Sequence, residues 1–171
     1  ALKDNTTGNR NIAIGYAALR TNNSELNVAI GHDALEDSTG RENVAVGTQS
    51  LTQSTTANYN TALGFQAAYS NTTGGSQVAI GYRASYVNST SIRHIAIGYQ
   101  ANYGGTSTND MVAVGYRAAY TASATTANKD NSTFIGHTSG EAGSVTTGPR
   151  NSCTYVGHES GKQGAHTTGN F

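Results

Sequence analysis

His137 and His158 stand 21 residues apart, each directly after a glycine, and His32 follows a glycine in the same way. Repetition at a fixed offset places the three in one column. Imidazoles contributed by several copies of the chain would form a ring suited to a metal ion or an anion, which makes His137 and His158 candidate ligands. A solvent-facing or hydrogen-bonded histidine is the plainer alternative. Tyr69, Tyr86, Tyr103 and Tyr120 each lie five residues after a glycine, so they predict a ladder across four successive units. Such a ladder either packs coil corners, in place of Leu19, Leu35 and Leu51 of the earlier units, or forms an aromatic strip able to meet sugar rings. Arg83 and Arg117 recur two residues after a glycine. With Tyr86, Tyr103 and Tyr120 they make up the candidate binding patch.

Catalysis needs convergent groups, and the columns allow convergence to be examined directly. Two residues after the glycines stand Ala17, Asp33, Gln49, Gln66, Arg83, Gln100, Arg117, Thr138 and Glu159, with no two carboxylates on neighbouring units. A glycosidase pair is therefore not visible there. The chain carries no zinc spacing, phosphate loop, nucleophile elbow or calcium-binding nonapeptide, so no catalytic residue and no cofactor are expected. Ten acidic and ten basic residues give zero net charge, which argues against a nucleic-acid groove. The single cysteine, Cys153, has no intrachain partner and reads as a small buried residue, with an interchain bridge or reactive thiol as the alternative. Sequons at Asn5, Asn22, Asn71, Asn88 and Asn131 arise from composition. The Thr-Thr-Gly phrases beginning at Thr72, Thr146 and Thr167 read as turn chemistry. No apolar run is long enough for a signal peptide or a membrane span, so this segment is not expected to insert into a membrane.

What positions these residues is a repeat. The glycines Gly15, Gly31, Gly47, Gly64, Gly81, Gly98, Gly115, Gly136 and Gly157 are separated by 16, 16, 17, 17, 17, 17, 21 and 21 residues. Before each stands an aliphatic residue: Ile14, Ile30, Val46, Leu63, Ile80, Ile97, Val114, Ile135 and Val156. Two places earlier stands a β-branched one, from Ile12 and Val28 to Thr154. Two side chains on one face of a short strand, with alanine between them in the first seven units, predict an aliphatic core column and a closely approached alanine face. Phe134 and Tyr155 replace the alanine where the spacing lengthens to 21. The chain thus divides into coils of 16–17 residues over 1–128 and coils of 21 over 129–171, continuing one stack.

Units this short cannot hold two helices, and β-branched residues and glycine dominate them, so the fold class is all-β: a parallel β-solenoid of about nine coils. Stacking at about 4.8 Å would give a body about 43 Å long. The glycine after each aliphatic residue serves a bend needing positive φ or close backbone packing. At 36% hydrophobic the chain has little core material, yet 12% charge and regular columns exclude a disordered tail. So thin a core predicts that the alanine face is buried against another copy of the chain. Neither end carries an obvious polar cap, which would allow the stack to continue or to join end to end.

The phrases NIAIGYAA (Asn11 to Ala18), NVAIGHDA (Asn27 to Ala34) and NVAVGTQS (Asn43 to Ser50) resemble the repeat of YadA-like heads in trimeric autotransporter adhesins. The aromatics after the glycine, Tyr16, Phe65, Tyr82, Tyr99 and Tyr116, resemble YadA-like stretches in phage tail fibres. The resemblance covers nearly the whole chain and implies a left-handed β-roll, three chains around one axis, and a non-enzymatic role in attachment. It implies an extracellular setting, on a bacterial cell surface or a virion, and a cell-surface glycan or protein receptor. A filament subunit or a spacer shaft within a longer fibre is the competing expectation.

Overall fold

The computed structural model describes residues 1–21, 23–104, 108–121, 129–141 and 152–162. Nine three-residue strands carry the repeat: β1 (Ile12–Ile14), β2 (Val28–Ile30), β3 (Val44–Val46), β4 (Thr61–Leu63), β5 (Val78–Ile80), β6 (Ile95–Ile97), β7 (Val112–Val114), β8 (Thr133–Ile135) and β9 (Thr154–Val156). They form one parallel sheet in chain order. Equivalent residues pair throughout, Ala13 with Ala29 at one end and Phe134 with Tyr155 at the other. The chain is a β-solenoid, and no helix occurs among the described residues.

Hydrogen bonding from coil to coil does not stop at the strand ends. The Asp33 amide donates to the Tyr16 carbonyl at 2.9 Å and the Leu19 amide to the Ala34 carbonyl at 3.1 Å, a pattern repeated up the stack. Each coil turns by means of left-handed residues at fixed columns, such as Arg93, Gln100 and Asn102 with φ of 53°, 52° and 49°. Each costs about 1–2 kcal/mol for a non-glycine residue, and the ladders on both sides offset it. The glycine column cannot be replaced in this way. Gly98 has φ 131°, and a Cβ there would lie within 2.5 Å of the Gly115 carbonyl oxygen, so both the bend and the close packing are required.

The strands face the opposite way from the sequence expectation. The alanines Ala29, Ala45, Ala62, Ala79, Ala96 and Ala113 are fully buried inside the coil. The aliphatic column Ile14, Ile30, Val46, Leu63, Ile80, Ile97, Val114, Ile135 and Val156 lies on the outer surface, with Ile14 59% and Val156 65% exposed. A coil of 16–17 residues encloses a cross-section too narrow for two branched side chains per strand. A methyl group fits against the opposite wall, so the single alanine turns in and the flanking pair turns out. The close approach predicted for the alanine face is thus made within one chain.

The column three residues after the glycine is buried and stays small (Ala18, Ala34, Ser50, Ala67, Ala84, Ala101, Ala118, Ser139), while three other inward columns change along the stack. Beside the strand-centre alanine lies a column four residues after the glycine: Leu19, Leu35, Leu51, Ala68, Ser85, Asn102, Ala119, then Gly140. Opposite lies a column four residues before it: Asn27, Asn43, Asn60, Gln77, His94, Met111 and Ser132, all buried. From the fifth coil on their volumes compensate: where Ser85, Asn102 and Ala119 replace leucine, the facing asparagine becomes Gln77, His94 and Met111, whereas Ala68 of the fourth coil still faces Asn60. Where Phe134 occupies the strand centre, Gly140 faces it, and a Cβ on that glycine would meet the Phe134 ring.

Candidate functional site

The tyrosine ladder exists, but it does not replace the leucines. Leu19, Leu35 and Leu51 lie four residues after their glycines and are buried, whereas Tyr69, Tyr86, Tyr103 and Tyr120 lie five after and are half-exposed. One residue along the turn moves the side chain from the interior to the surface. The rings stack at centroid separations of 5.3, 5.1 and 5.3 Å. Burial pushes the Tyr103 phenol above its ordinary pKa.

A second ladder, one residue after the glycines, runs parallel to it: Phe65, Tyr82, Tyr99, Tyr116, His137 and His158, with centroids 4.8–5.5 Å apart. Tyr16 and His32 form a shorter stack in the same column at 5.1 Å. This places the predicted histidines. His137 and His158 lie face to face at 5.0 Å as exposed members of an aromatic column. His137 Nδ1 is 3.3 Å from Thr138 Oγ1, and His32 Nδ1 is 2.9 Å from an Asp33 carboxylate oxygen. No cluster of three or more potential metal-ligating side chains occurs among the described residues.

Between the ladders runs a polar column. Gln66 donates from Nε2 to Gln49 Oε1 at 2.8 Å, and Arg83 donates from Nε to Gln66 Oε1 at 2.7 Å. The Arg83 guanidinium lies 5.3 Å from the Tyr82 ring centroid and 5.1 Å from that of Tyr86, joining the two ladders. Arg117 lies 3.9 Å from the Tyr120 ring centroid and pairs with Glu141 at 2.7 Å. The two arginines therefore differ. Arg117 is held by an ion pair, while Arg83 donates to an amide and lies beside two aromatic rings. The five candidate binding residues Tyr86, Tyr103, Tyr120, Arg83 and Arg117 do come together as one strip. The outer ladder beside them, from Tyr82 to Tyr116, was missed as part of it, although the sequence signal was the same: one residue type at one offset.

The interior also holds a polar cluster that sequence reasoning did not anticipate. His94 Nε2 lies 2.8 Å from Ser85 Oγ and 3.1 Å from Asn88 Nδ2, and burial lowers its pKa to about 4. Below it the asparagines form an amide ladder: Asn43 and Asn60 each direct the backbone N–H and side-chain Nδ2 to the preceding asparagine's Oδ1, at 2.9–3.2 Å. The sequons at Asn71 and Asn88 are buried in such contacts, with Asn71 Nδ2 donating to the Gly74 carbonyl. Cys153 is half-buried, its sulfur 3.4 Å from Ser132 Oγ. Thr72 Oγ1 donates to the Ser89 carbonyl at 3.0 Å, as a turn hydroxyl should. The sequon at Asn22 and the phrases at Thr146 and Thr167 fall outside the described residues.

A search with family models, with curated proteins and with solved structures returns no match to this chain. Its chemistry must be read from its own columns.

Proposed function

We propose that this solenoid is a non-enzymatic segment of an extracellular attachment fibre, a homotrimeric left-handed β-roll of the kind its repeat resembles, carried on a bacterial surface or a virion. The observation that supports it most is the outward aliphatic face. Two columns of Ile, Val, Leu and Thr run along all nine strands, and seven of these aliphatics are exposed beyond a third of their surface. Soluble monomers rarely leave so continuous an apolar stripe open, so copies of the chain pack there. Repetition then displays the aromatic strip several times around one axis, where weak contacts with a cell-surface glycan or protein add up by avidity.

The second reading, a filament subunit or spacer shaft, is favoured by one feature of the strip. Its rings cover one another's faces, which is what packing alone would produce. Applying the labelled, assembled chain to whole cells and to an immobilised glycan array separates the two. Attachment predicts saturable binding that falls in Arg83→Ala/Tyr103→Ala while the melting temperature changes little. Absence of binding on every surface overturns attachment and leaves the shaft.

A further inference from the structure

We infer that the strip recognises an acidic glycan, with a sugar carboxylate seated on Arg83. This rests on the attachment reading and specifies its ligand. Sugars usually meet aromatic side chains face to face, but here neighbouring rings are nearly parallel, within 8–15° along Tyr82, Tyr99 and Tyr116 and along Tyr69, Tyr86 and Tyr103. At centroid separations of 5.0–5.3 Å no sugar ring enters between them. The ladders present edges and phenol hydroxyls. An aromatic edge is the positive part of the ring quadrupole, so two rows of edges favour oxygen acceptors and negative charge over an apolar sugar face.

Arg83 gives that preference a centre. Among the guanidinium groups of the neighbouring coils, Arg93 is neutralised by Asp110 at 2.6 Å and Arg117 by Glu141 at 2.7 Å, while Arg83 has Gln66 and no carboxylate as its polar partner among the described residues. That bond uses Nε and leaves the two terminal nitrogens, held in place by the flanking Tyr82 and Tyr86 rings, as a fork that matches a carboxylate. Gln100 follows on the next coil, and tyrosine hydroxyls repeat at the coil spacing on either side. Polar groups repeating in a line suit an extended polymer whose own hydroxyls repeat, which is why a glycan fits better than an isolated anion.

The test is titration of the assembled chain with oligogalacturonate, with the same oligomer as its methyl ester, and with oligoglutamate. Binding of the acid, at least tenfold weaker binding of the ester, and weakening with added salt are expected. Arg83→Gln should abolish the difference between acid and ester without altering the melt, because glutamine already occupies this column at Gln49, Gln66 and Gln100. Equal binding of acid and ester, or retained discrimination in Arg83→Gln, overturns the carboxylate. Equal or tighter binding of oligoglutamate overturns the glycan. If no oligomer binds while cells still do, this inference fails and attachment stands; if cells are not bound either, both fail.

Discussion

The first three coils and the last two solve one packing problem with different residues. In the first, leucine faces a strand-centre alanine and an asparagine ladder closes the opposite side: Leu35, Ala29 and Asn27 in the second coil. In the eighth, Phe134 fills the strand centre, Gly140 stands where leucine was and Ser132 where asparagine was. The ninth repeats the exchange with Tyr155, Gly161 and Cys153, and a Cβ on Gly161 would lie 2.5 Å from the tyrosine ring. The outer aliphatic column stays aliphatic across both regions. The interior thus exchanges residue types between the two regions, while the outer column next to the glycines keeps its chemistry and the other outer column turns to threonine at Thr133 and Thr154. That exposed column is the feature on which the proposed packing between copies of the chain rests.

The largest expected effect comes from mixing the two solutions. Phe134→Ala should cost about 3–5 kcal/mol by leaving a cavity, and Gly140→Leu should be comparably damaging by overpacking against the ring. The double substitution Phe134→Ala/Gly140→Leu rebuilds the early type of coil and should recover most of the loss. Leucine tolerates the backbone there, since Leu19 has φ 49° and Gly140 φ 65°. Denaturant unfolding at matched protein concentration measures it. A double mutant as unstable as the sum of the singles would mean the columns do not share their space.

Between the two regions sits His94, where the interior becomes titratable. Burial holds its pKa at about 4, below its ordinary 6.5, so the folded chain keeps it neutral while the unfolded chain takes up a proton. Its contribution is complete above pH about 6.5 and is lost as pH falls toward 4, about 3 kcal/mol in all. His94→Asn, which restores the residue of the earlier coils, should flatten the dependence of the melt on pH across that window. An unchanged slope would show that the imidazole is not the group responsible.

The sequence carried the parallel stack, its strand positions and both aromatic columns, because each rests on similar residues at a constant offset. It did not carry the facing of the strands. In a three-residue strand such as Ile95, Ala96 and Ile97, alternation separates one residue from two without saying which side is interior, and only the enclosed cross-section decides. The leucine and tyrosine columns were merged for a related reason: Leu51 and Tyr69 lie at offsets of four and five, and the left-handed residue at the fourth position separates inside from outside. The His94 cluster was hidden because its members, Ser85, Asn88 and His94, are each ordinary turn residues whose convergence needs the coil closed.

That the alanine face closes the coil and the aliphatic face joins copies of the chain is tested most directly by sedimentation equilibrium at micromolar concentration, with circular dichroism on the same samples. The wild-type chain should sediment as a trimer. Ile80→Asp/Ile97→Asp should sediment as a monomer that keeps its β spectrum, because both changes lie outside the coil, whereas Ala96→Phe should lose the spectrum itself. A stable wild-type monomer, or an aspartate variant that remains trimeric, would contradict the assignment of the two faces.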